Sequence, residues 1–439
     1  TVGAGGGQVV AGGTSSLGTA VIANGGAGGV YAVDVGGAGA GGTASGRTGG
    51  AGVLSSMTNT AVTYGAGGTA NYPVTGAANT GNGGGGAYST NVTYNDGTSG
   101  SSGVVVVAYA GSTVFTTGGT SSVITSGPMA GMVVVTFNAS GSLGLLNNMS
   151  STLLGNITGA GSLTTNATGG VLNLVGTNTY AGSTTLNSGS VYLGNNTTTG
   201  SLGAGALVNN AALYFNRSND FTFASSISGT GSLTKLLANT ATLTGTNAYS
   251  GNTTVSAGTL QVGNGGTTGN LGTGTITNNA TLVYKRSDSF GVADVIAGTG
   301  VLRQEGTGTL TLSGTNTYTG ATTVNTGTLA ISSDANLGTA PSSPQTNQLV
   351  VNNGASLYFY PVFTSSLNAN RGITLTGSTT LNTGIGSDVT YAGIVAGTGS
   401  LTKVGAGTLI LNGANTYAAT TVSAGTLQIG AGSTTGSLG

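Results

Sequence analysis

The carboxylates are the residues best suited to chemistry in this chain, and their spacing argues against an active site. Polysaccharide cleavage needs clustered carboxylates, a basic proton acceptor or a bound cation. The 8 acidic residues are spread along the chain, and only Asp288 and Asp294 form a close pair. The chain contains neither His nor Cys, which removes an imidazole base and thiolate metal ligands. We therefore expect no enzymatic activity, no catalytic residue, no cofactor and no metal site.

A polar segment occurs twice at a separation of 69 residues. Arg217-Ser218-Asn219-Asp220-Phe221 aligns with Arg286-Ser287-Asp288-Ser289-Phe290. One interpretation is a stripe of polar groups that contacts a glycan or a neighbouring subunit. The other is that both copies occupy the same turn of successive repeats and form local ion pairs or hydrogen bonds. We favour the second interpretation.

The charge and composition exclude several classes of partner. The net charge is zero and only 4% of residues are charged, so clustered Lys and Arg that would attract nucleic acid are missing. No apolar run reaches the length of about 18 residues that a transmembrane helix needs. A surface of Thr, Ser, Asn and Gly also predicts stability that hardly depends on pH between about pH 5 and pH 9.

A repeat with two recurring anchors organises the chain from residue 159 onward. The first anchor is the Gly of a Gly-x-Leu triplet and the second is the Tyr of an Asn-x-Tyr triplet. The glycines are Gly161, Gly231, Gly300 and Gly399, and the tyrosines are Tyr180, Tyr249, Tyr318 and Tyr417. The tyrosines are 69, 69 and 99 residues apart. A fixed period of this kind is typical of a solenoid.

Short alternating runs between Gly and Asn turns predict strands within each repeat. The strand centres Leu233, Val255 and Ile276 are 22 and 21 residues apart, so a 69-residue unit corresponds to about three coils of a parallel β-solenoid. The 30 additional residues of the last interval fit about one more coil. We expect the repeated Tyr to cover a coil edge or to form a hydrogen bond at a turn, with an exposed platform for sugar as the alternative.

Pairs of Asn recur in the repeats, at Asn209/Asn210, Asn278/Asn279 and Asn352/Asn353. Asn tolerates left-handed backbone and bonds to nearby amides, so these pairs predict turns. Stacked Asn ladders are the alternative.

The first 110 residues differ in composition. They hold tracts of Gly, such as Gly25 to Gly29 and Gly81 to Gly86, that are poor formers of helices and ordinary sheets. Two runs rich in β-branched residues, Val30 to Val35 and Gly103 to Tyr109, predict strands between the tracts. This region resembles the glycine-rich domain of large bacterial surface proteins and some phage tail proteins. The resemblance implies tracts that form packed polyglycine II helices.

The second region resembles the autotransporter-associated β-strand repeat of exported bacterial passenger proteins. The pattern is nearly intact from Gly308 through Tyr318 to Leu329 and again from Leu401 to Leu427. The resemblance implies a right-handed parallel β-helix. The expected organisation is all-β: a glycine-rich domain at residues 1–110, connecting strands or first coils at 111–158, and the repeat β-solenoid at 159–439.

These features predict a non-enzymatic structural protein of the exterior of a Gram-negative-type bacterium. Because the last copy stops in mid-repeat, we expect a filament, fibre or matrix that assembles head-to-tail with copies of itself or with further segments of the same chain. The expected contact residues at the two ends are Thr1, Val2, Leu427, Ile429 and Leu438. The alternative is an adhesin that binds a glycan or a host protein through the solenoid face. A phage tail fibre and a polysaccharide-degrading enzyme are less favoured.

Overall fold

The structure, a computed structural model, describes short strands between residues 15 and 153 together with residues 157, 162–360, 363, 366–432 and 436–439. The chain divides into two compact units, Thr1–Ala212 and Leu213–Gly439. The described residues are all-β, apart from one 3-10 helix of four residues, Asp334–Leu337. None of them belongs to a helix long and apolar enough to cross a membrane.

The first unit contains antiparallel strands followed by parallel ones. The predicted strand at Gly103 to Tyr109 is confirmed as β7, whereas Val30 to Val35 and the predicted polyglycine segments lie outside the described residues. Its strands are β1 (Ser15–Leu17), β2 (Val21–Ala23), β3 (Val53–Ser55), β4 (Val62–Tyr64), β5 (Tyr88–Thr90), β6 (Thr93–Asn95), β7 (Val105–Ala110), β8 (Val114–Val123), β9 (Met132–Leu145), β10 (Ser150–Leu153), β11 (Leu163–Leu174), β12 (Thr184–Thr197) and β13 (Leu207–Asn209).

Parallel stacking in the first unit begins at β10. The strands β10, β11, β12 and β13 pair in that order, each with a later strand about one coil further along the chain. Leu163 lies opposite Thr184, and Thr184 lies opposite Leu207. Leu172, Leu174, Leu186, Val191 and Leu193 are buried between the strands. These four strands form a β-solenoid.

From Ala212 onward the strands are short, with two to seven residues each. They are β14 (Ala212–Arg217), β15 (Phe221–Phe223), β16 (Ile227–Ser228), β17 (Ser232–Lys235), β18 (Thr240–Leu243), β19 (Thr253–Val255), β20 (Thr259–Val262), β21 (Ile276–Asn278), β22 (Thr281–Tyr284), β23 (Phe290–Val292), β24 (Ile296–Ala297), β25 (Val301–Gln304), β26 (Thr309–Leu312), β27 (Thr322–Val324), β28 (Thr328–Ile331), β29 (Gln345–Val351), β30 (Ser356–Phe359), β31 (Ser366–Leu367), β32 (Arg371–Leu375), β33 (Ser378–Thr383), β34 (Asp388–Tyr391), β35 (Val395–Ala396), β36 (Ser400–Val404), β37 (Thr408–Leu411), β38 (Ala419–Val422) and β39 (Thr426–Ile429).

The strand pairs described within this second unit are all parallel, which confirms the predicted parallel β-solenoid. The longest sheet that lies wholly in this unit stacks β15, β18, β20, β22, β25, β27, β29, β32 and β35. Inward and outward side chains alternate along the strands, so that in β26 Leu310 and Leu312 are buried between half-buried threonines. This alternation places a continuous column of Leu, Ile and Val inside the coils. The hand of the solenoid stays a prediction.

One 69-residue repeat spans three full coils and one additional strand, which forms one of the three sides of the next coil. A coil crosses three strands in three different sheets, as in β21, β22 and β23 followed by β24, β25 and β26. Strand β25 is the sequence equivalent of β17, 69 residues later, but the two strands belong to different sheets. Each repeat is therefore rotated by one side relative to the repeat before it, which refines the predicted three coils.

The turns depend on glycine at one recurring position. In the Val-x-x-Gly-Thr-Leu segments, Gly258 and Gly327 both have a φ of 67°. This left-handed conformation is unfavourable for residues with a Cβ. A Cβ at either position would also lie within 2.4 Å of backbone oxygen. Only glycine therefore fits this turn without strain.

Candidate functional site

The recurring polar residues form a contact between successive coils, which we call the Asn–Tyr clamp. It consists of an Asn-x-Tyr triplet in one coil and a Ser/Asn-Leu-Gly triplet in the next coil. Four clamps occur in the described residues. The Asn-x-Tyr triplets start at Asn178, Asn247, Asn316 and Asn415, and the second triplets start at Ser201, Asn270, Asn336 and Ser437.

The clamp Asn joins three coils through its side-chain amide. Its Oδ1 accepts a hydrogen bond from a backbone N–H of the preceding coil over 2.7–2.9 Å, and its Nδ2 donates to a carbonyl of the following coil over 2.6–2.7 Å. The four Asn are 4–5% exposed. Because buried backbone groups need partners, each Asn satisfies one backbone N–H and one backbone carbonyl.

The clamp Gly permits the close approach of the next coil. A Cβ at Gly203, Gly272, Gly338 or Gly439 would lie 1.9–2.2 Å from the carbonyl oxygen of the clamp Tyr beneath it. Real Cβ atoms do not approach a backbone atom this closely, so only glycine fits without moving the coil. The Ser/Asn-Leu-Gly triplet is therefore the upper half of the clamp.

The clamp tyrosines are buried, so the alternative of an exposed sugar platform is wrong for these four residues. Tyr180, Tyr249, Tyr318 and Tyr417 are 0–2% exposed. The first three pair with a Thr hydroxyl four residues later over 2.5–2.7 Å, and Tyr417 accepts from Thr420 at 2.8 Å. Burial raises the pKa of Tyr318 to about 12, and the hydrogen bond with Thr322 opposes this rise. The predicted hydrogen bond at a turn is confirmed.

The Gly anchors have a similar packing role. Gly161 lies outside the described residues, and Gly231, Gly300 and Gly399 are buried. A Cβ would lie 2.4 Å from the oxygen of Ala280 at Gly300, and 2.4 Å from that of Gly377 at Gly399. These anchors face the preceding coil rather than solvent.

The duplicated polar segments form local contacts, as we favoured. Arg286 donates to Asp288 from Nε at 2.9 Å and from Nη2 at 2.6 Å, and its guanidinium lies 4.3 Å from the Phe290 ring centre. In the other copy, Arg217 donates to Asn219 at 3.2 Å and lies 4.8 Å from the Phe221 ring centre. Both copies thus stabilise the same turn.

The close carboxylate pair does not act as a unit. Hydrogen bonds from Arg286 lower the pKa of Asp288, whereas burial raises the pKa of Asp294. No hydrogen bond joins the two carboxylates among the described residues. These residues also contain no group of three or more His, Cys, Asp or Glu side chains placed to hold a metal ion.

The Asn pairs form turns and one short ladder. Asn209 and Asn278 each accept a hydrogen bond at Oδ1 from the backbone N–H two residues later, over 3.1 and 3.2 Å, which is the predicted turn. Neither has a positive φ. Asn352 instead donates to Asn325 at 2.6 Å and accepts from Thr376 at 2.6 Å. The ladder alternative therefore applies to this one pair.

Two lysines lie inside the solenoid, which the sequence did not reveal. Lys235 and Lys403 are 0% exposed and occupy the same position of the repeat, where Gln304 stands in the intervening copy. Lys403 Nζ donates to the carbonyls of Val404, Gly405 and Ala424 over 2.9–3.1 Å. Burial lowers the pKa of Lys403, and it lowers that of Lys235 to about 8. Both ammonium groups donate hydrogen bonds to backbone carbonyls at the turns and not to a carboxylate.

The buried Lys235 predicts that the free energy of unfolding rises between pH 8 and pH 10. A free lysine titrates at 10.5. The unfolded chain therefore holds more protons than the folded chain in this range, and raising the pH favours the folded state. We expect a gain on the order of 2 kcal/mol, measured by urea unfolding at each pH. The variant Lys235→Gln, which copies Gln304, should show a smaller rise, and an unchanged rise would contradict the assignment. This prediction departs from the composition, which predicts stability that hardly changes up to about pH 9.

The predicted contact ends are only partly described. Thr1 and Val2 lie outside the described residues. Leu427 is half-buried, while Ile429 is 38% and Leu438 is 47% exposed. Their role as contact residues stays a prediction.

Comparisons with known proteins agree with this repeat. Residues 169–193, 233–262, 302–331 and 401–429 match the passenger-associated-transport-repeat family model, and each segment contains one Asn-x-Tyr triplet. The adhesin BmaC autotransporter of Brucella suis biovar 1 (strain 1330) is 30% identical over 298 residues, which cover 56% of this chain and 8% of that protein. This chain therefore spans only a small part of that relative. No solved structure matches. The matches support a repeat protein of the autotransporter passenger type.

Proposed function

We propose that the chain is a non-enzymatic structural segment of a passenger-type protein on the exterior of a Gram-negative-type bacterium. The passenger repeats and the autotransporter relative support the location. In this role the coils form a stalk whose length follows from the number of repeats.

The Asn–Tyr clamp is the observation that carries this proposal. A repeat that recognised a ligand would display its recurring polar side chains. Here the recurring Asn and Tyr are buried and bind neighbouring coils. The repeated motif therefore holds neighbouring coils together, which a structural stalk requires.

We extend the proposal to assembly through the ends of the solenoid. Most side chains of the last described strands are exposed, with Val422 at 50% and Ile429 at 38%. A further coil, from the same chain or from another copy, would cover them by adding parallel strands to β38 and β39. Contacts of this head-to-tail kind produce a filament when they do not close into a ring.

Two measurements test the proposal. Antibodies against residues 213–439 are expected to label intact cells of the source bacterium, and labelling only after permeabilisation would exclude a surface role. Light scattering of the purified chain is expected to show growing assemblies as the concentration rises. The variant Val422→Lys should reduce this growth, because it places a charge in the covered face. A chain that stays monomeric throughout would exclude end-to-end assembly.

Adhesion is a second candidate, because the Brucella relative is named an adhesin. An adhesin needs a surface that takes a ligand. The clamp tyrosines do not supply one because they are buried. Any ligand site must therefore lie elsewhere on the coils.

A further inference from the structure

Two tyrosine rings lie together on the outside of the second unit, within the interval of 99 residues. Tyr358 points outward from β30 and is half-buried, and Tyr360 follows this strand and is 44% exposed. Their ring centres are 5.4 Å apart and their planes are tilted by 36°. We call these two residues the Tyr358–Tyr360 pair. Unlike the clamp tyrosines, both rings reach solvent.

An exposed apolar side chain lies in the next coil, where the preceding repeat has a charge. Ile385 is 78% exposed and stands at the position that Arg286 holds 99 residues earlier. The turn that contains Ile385 contacts the Tyr358–Tyr360 pair, because Ser387 Oγ donates to the carbonyl of Tyr360 at 2.8 Å. The exposed apolar surface therefore continues from the pair into the following coil.

Polar side chains border the pair on the same sheet. Asn382 of β33 lies opposite Tyr358 and is half-buried. Beside it, hydroxyl side chains occupy one outward position in six successive coils, about 4.7–4.9 Å apart. These residues are Thr309, Thr328, Ser356, Thr380, Thr402 and Thr421, and none of them is buried. A ligand on the tyrosine rings can therefore form hydrogen bonds at their border.

The surroundings of the pair carry little charge. Between Asp334 and Lys403 the sequence has two charged residues, Arg371 and Asp388. Arg371 is 1% exposed and pairs with Asp334, whereas Asp388 is exposed. This stretch therefore offers no exposed basic side chain to bind a phosphate or a carboxylate, and Asp388 repels anions. The pair suits a neutral ligand.

The size and the border of the apolar surface indicate the class of ligand. A completely buried Tyr covers about 150–250 Å², so the pair and Ile385, which are already partly covered, offer a few hundred Å² at most. A specific protein interface needs about 800 Å² from each partner. A purely aliphatic ligand would remove water from Asn382 without replacing its hydrogen bonds. A sugar ring satisfies both parts, because its C–H groups pack on the negative faces of aromatic rings and its hydroxyls pair with the border.

We propose that the Tyr358–Tyr360 pair binds a neutral glycan. One sugar ring packs on the two tyrosines, with Ile385 at its edge. Its hydroxyls form hydrogen bonds with Asn382 and Thr380. This site gives the adhesion candidate a ligand class and rests on that proposed function for its role on the cell.

Saturation-transfer NMR on the purified chain tests the proposal with four neutral trisaccharides: cellotriose, maltotriose, mannotriose and chitotriose. We expect at least one to bind, with a Kd on the order of 1 mM. Tyr360→Ser removes one ring and should weaken binding by about tenfold. Tyr360→Phe keeps the ring and should bind almost as well as the wild-type chain. Ile385→Ser, at a largely exposed position, leaves both rings in place and should weaken binding less than Tyr360→Ser.

Tyr214→Ser is the matched control. Tyr214 also points outward and is half-buried, in β14, but Asn216 stands where a second Tyr would complete a pair. This variant should bind as the wild-type chain does, and circular dichroism checks that every variant is folded.

Three results would overturn the proposal. They are absence of binding to all four trisaccharides, equal binding by Tyr360→Ser and the wild-type chain, and equal binding of the anionic trigalacturonate. Because the purified chain is used, each of these results would leave the proposed surface location standing, which antibody labelling tests separately.

Discussion

Replacing Gly272 with Ala is expected to lower the free energy of unfolding by about 3 kcal/mol or more. The added Cβ would lie 2.0 Å from the carbonyl oxygen of Tyr249. That oxygen also accepts a hydrogen bond from the N–H of Thr273 at 2.9 Å, so the coils cannot separate without losing it. Urea unfolding followed by circular dichroism measures the difference from the wild-type chain.

Gly266→Ala is the matched control for this prediction. Nothing lies within 4 Å of a Cβ at Gly266, and its φ is not in the left-handed region. Both glycines stand outside strands and only six residues apart. The control should therefore change stability by no more than ~0.5–1 kcal/mol in either direction. Equal losses in the two variants would show that Gly272 acts through backbone entropy and not through the clamp.

The β-solenoid follows from the sequence because its signals are local and recur. Alternation such as Thr309-Leu310-Thr311-Leu312 identifies a strand, and the same alternation 20 or so residues later identifies its partner. The rotation of each repeat by one side could not be read in the same way. Counting Leu233, Val255 and Ile276 follows one sheet correctly but does not show that Leu302 starts on the next.

The candidate sites were harder to predict because they depend on contacts between coils. The sequence shows that an Asn recurs two residues before each Tyr. Its hydrogen bonds to both the preceding and the following coil could be predicted only with the stacking register of the coils. Arg371 had no repeat signal at all. It is 1% exposed and contacts Asp334 at 3.1 Å, and both residues lie within the long third interval, 37 residues apart.

Truncation of a clamp Asn is expected to destabilise the chain by about 2–5 kcal/mol. In the wild-type chain the Asn316 amide accepts from the N–H of Ile296 at 2.8 Å and donates to the carbonyl of Asn336 at 2.7 Å. Asn316→Ala removes both hydrogen bonds. Each buried group left unpaired costs on the order of 1–3 kcal/mol. Asn264→Ala, at an exposed position, is the control and should be nearly neutral. Equal stabilities of the two variants by urea unfolding would contradict the role of the clamp.

Asn316→Asp separates the two hydrogen bonds of the clamp. The carboxylate keeps the bond from Ile296 but turns an acceptor toward the carbonyl of Asn336, at a site only 5% exposed. We therefore expect the pKa of the new Asp to lie above the ~3.9 of the unfolded chain. Stability from such a group is fully present below the unfolded pKa and is lost as the pH rises through the folded pKa. The deficit of this variant relative to wild type should shrink from pH 7 to pH 4, because protonation restores a donor. The deficit of Asn316→Ala should stay constant, and a constant deficit in both would show that the Nδ2 bond to Asn336 contributes little.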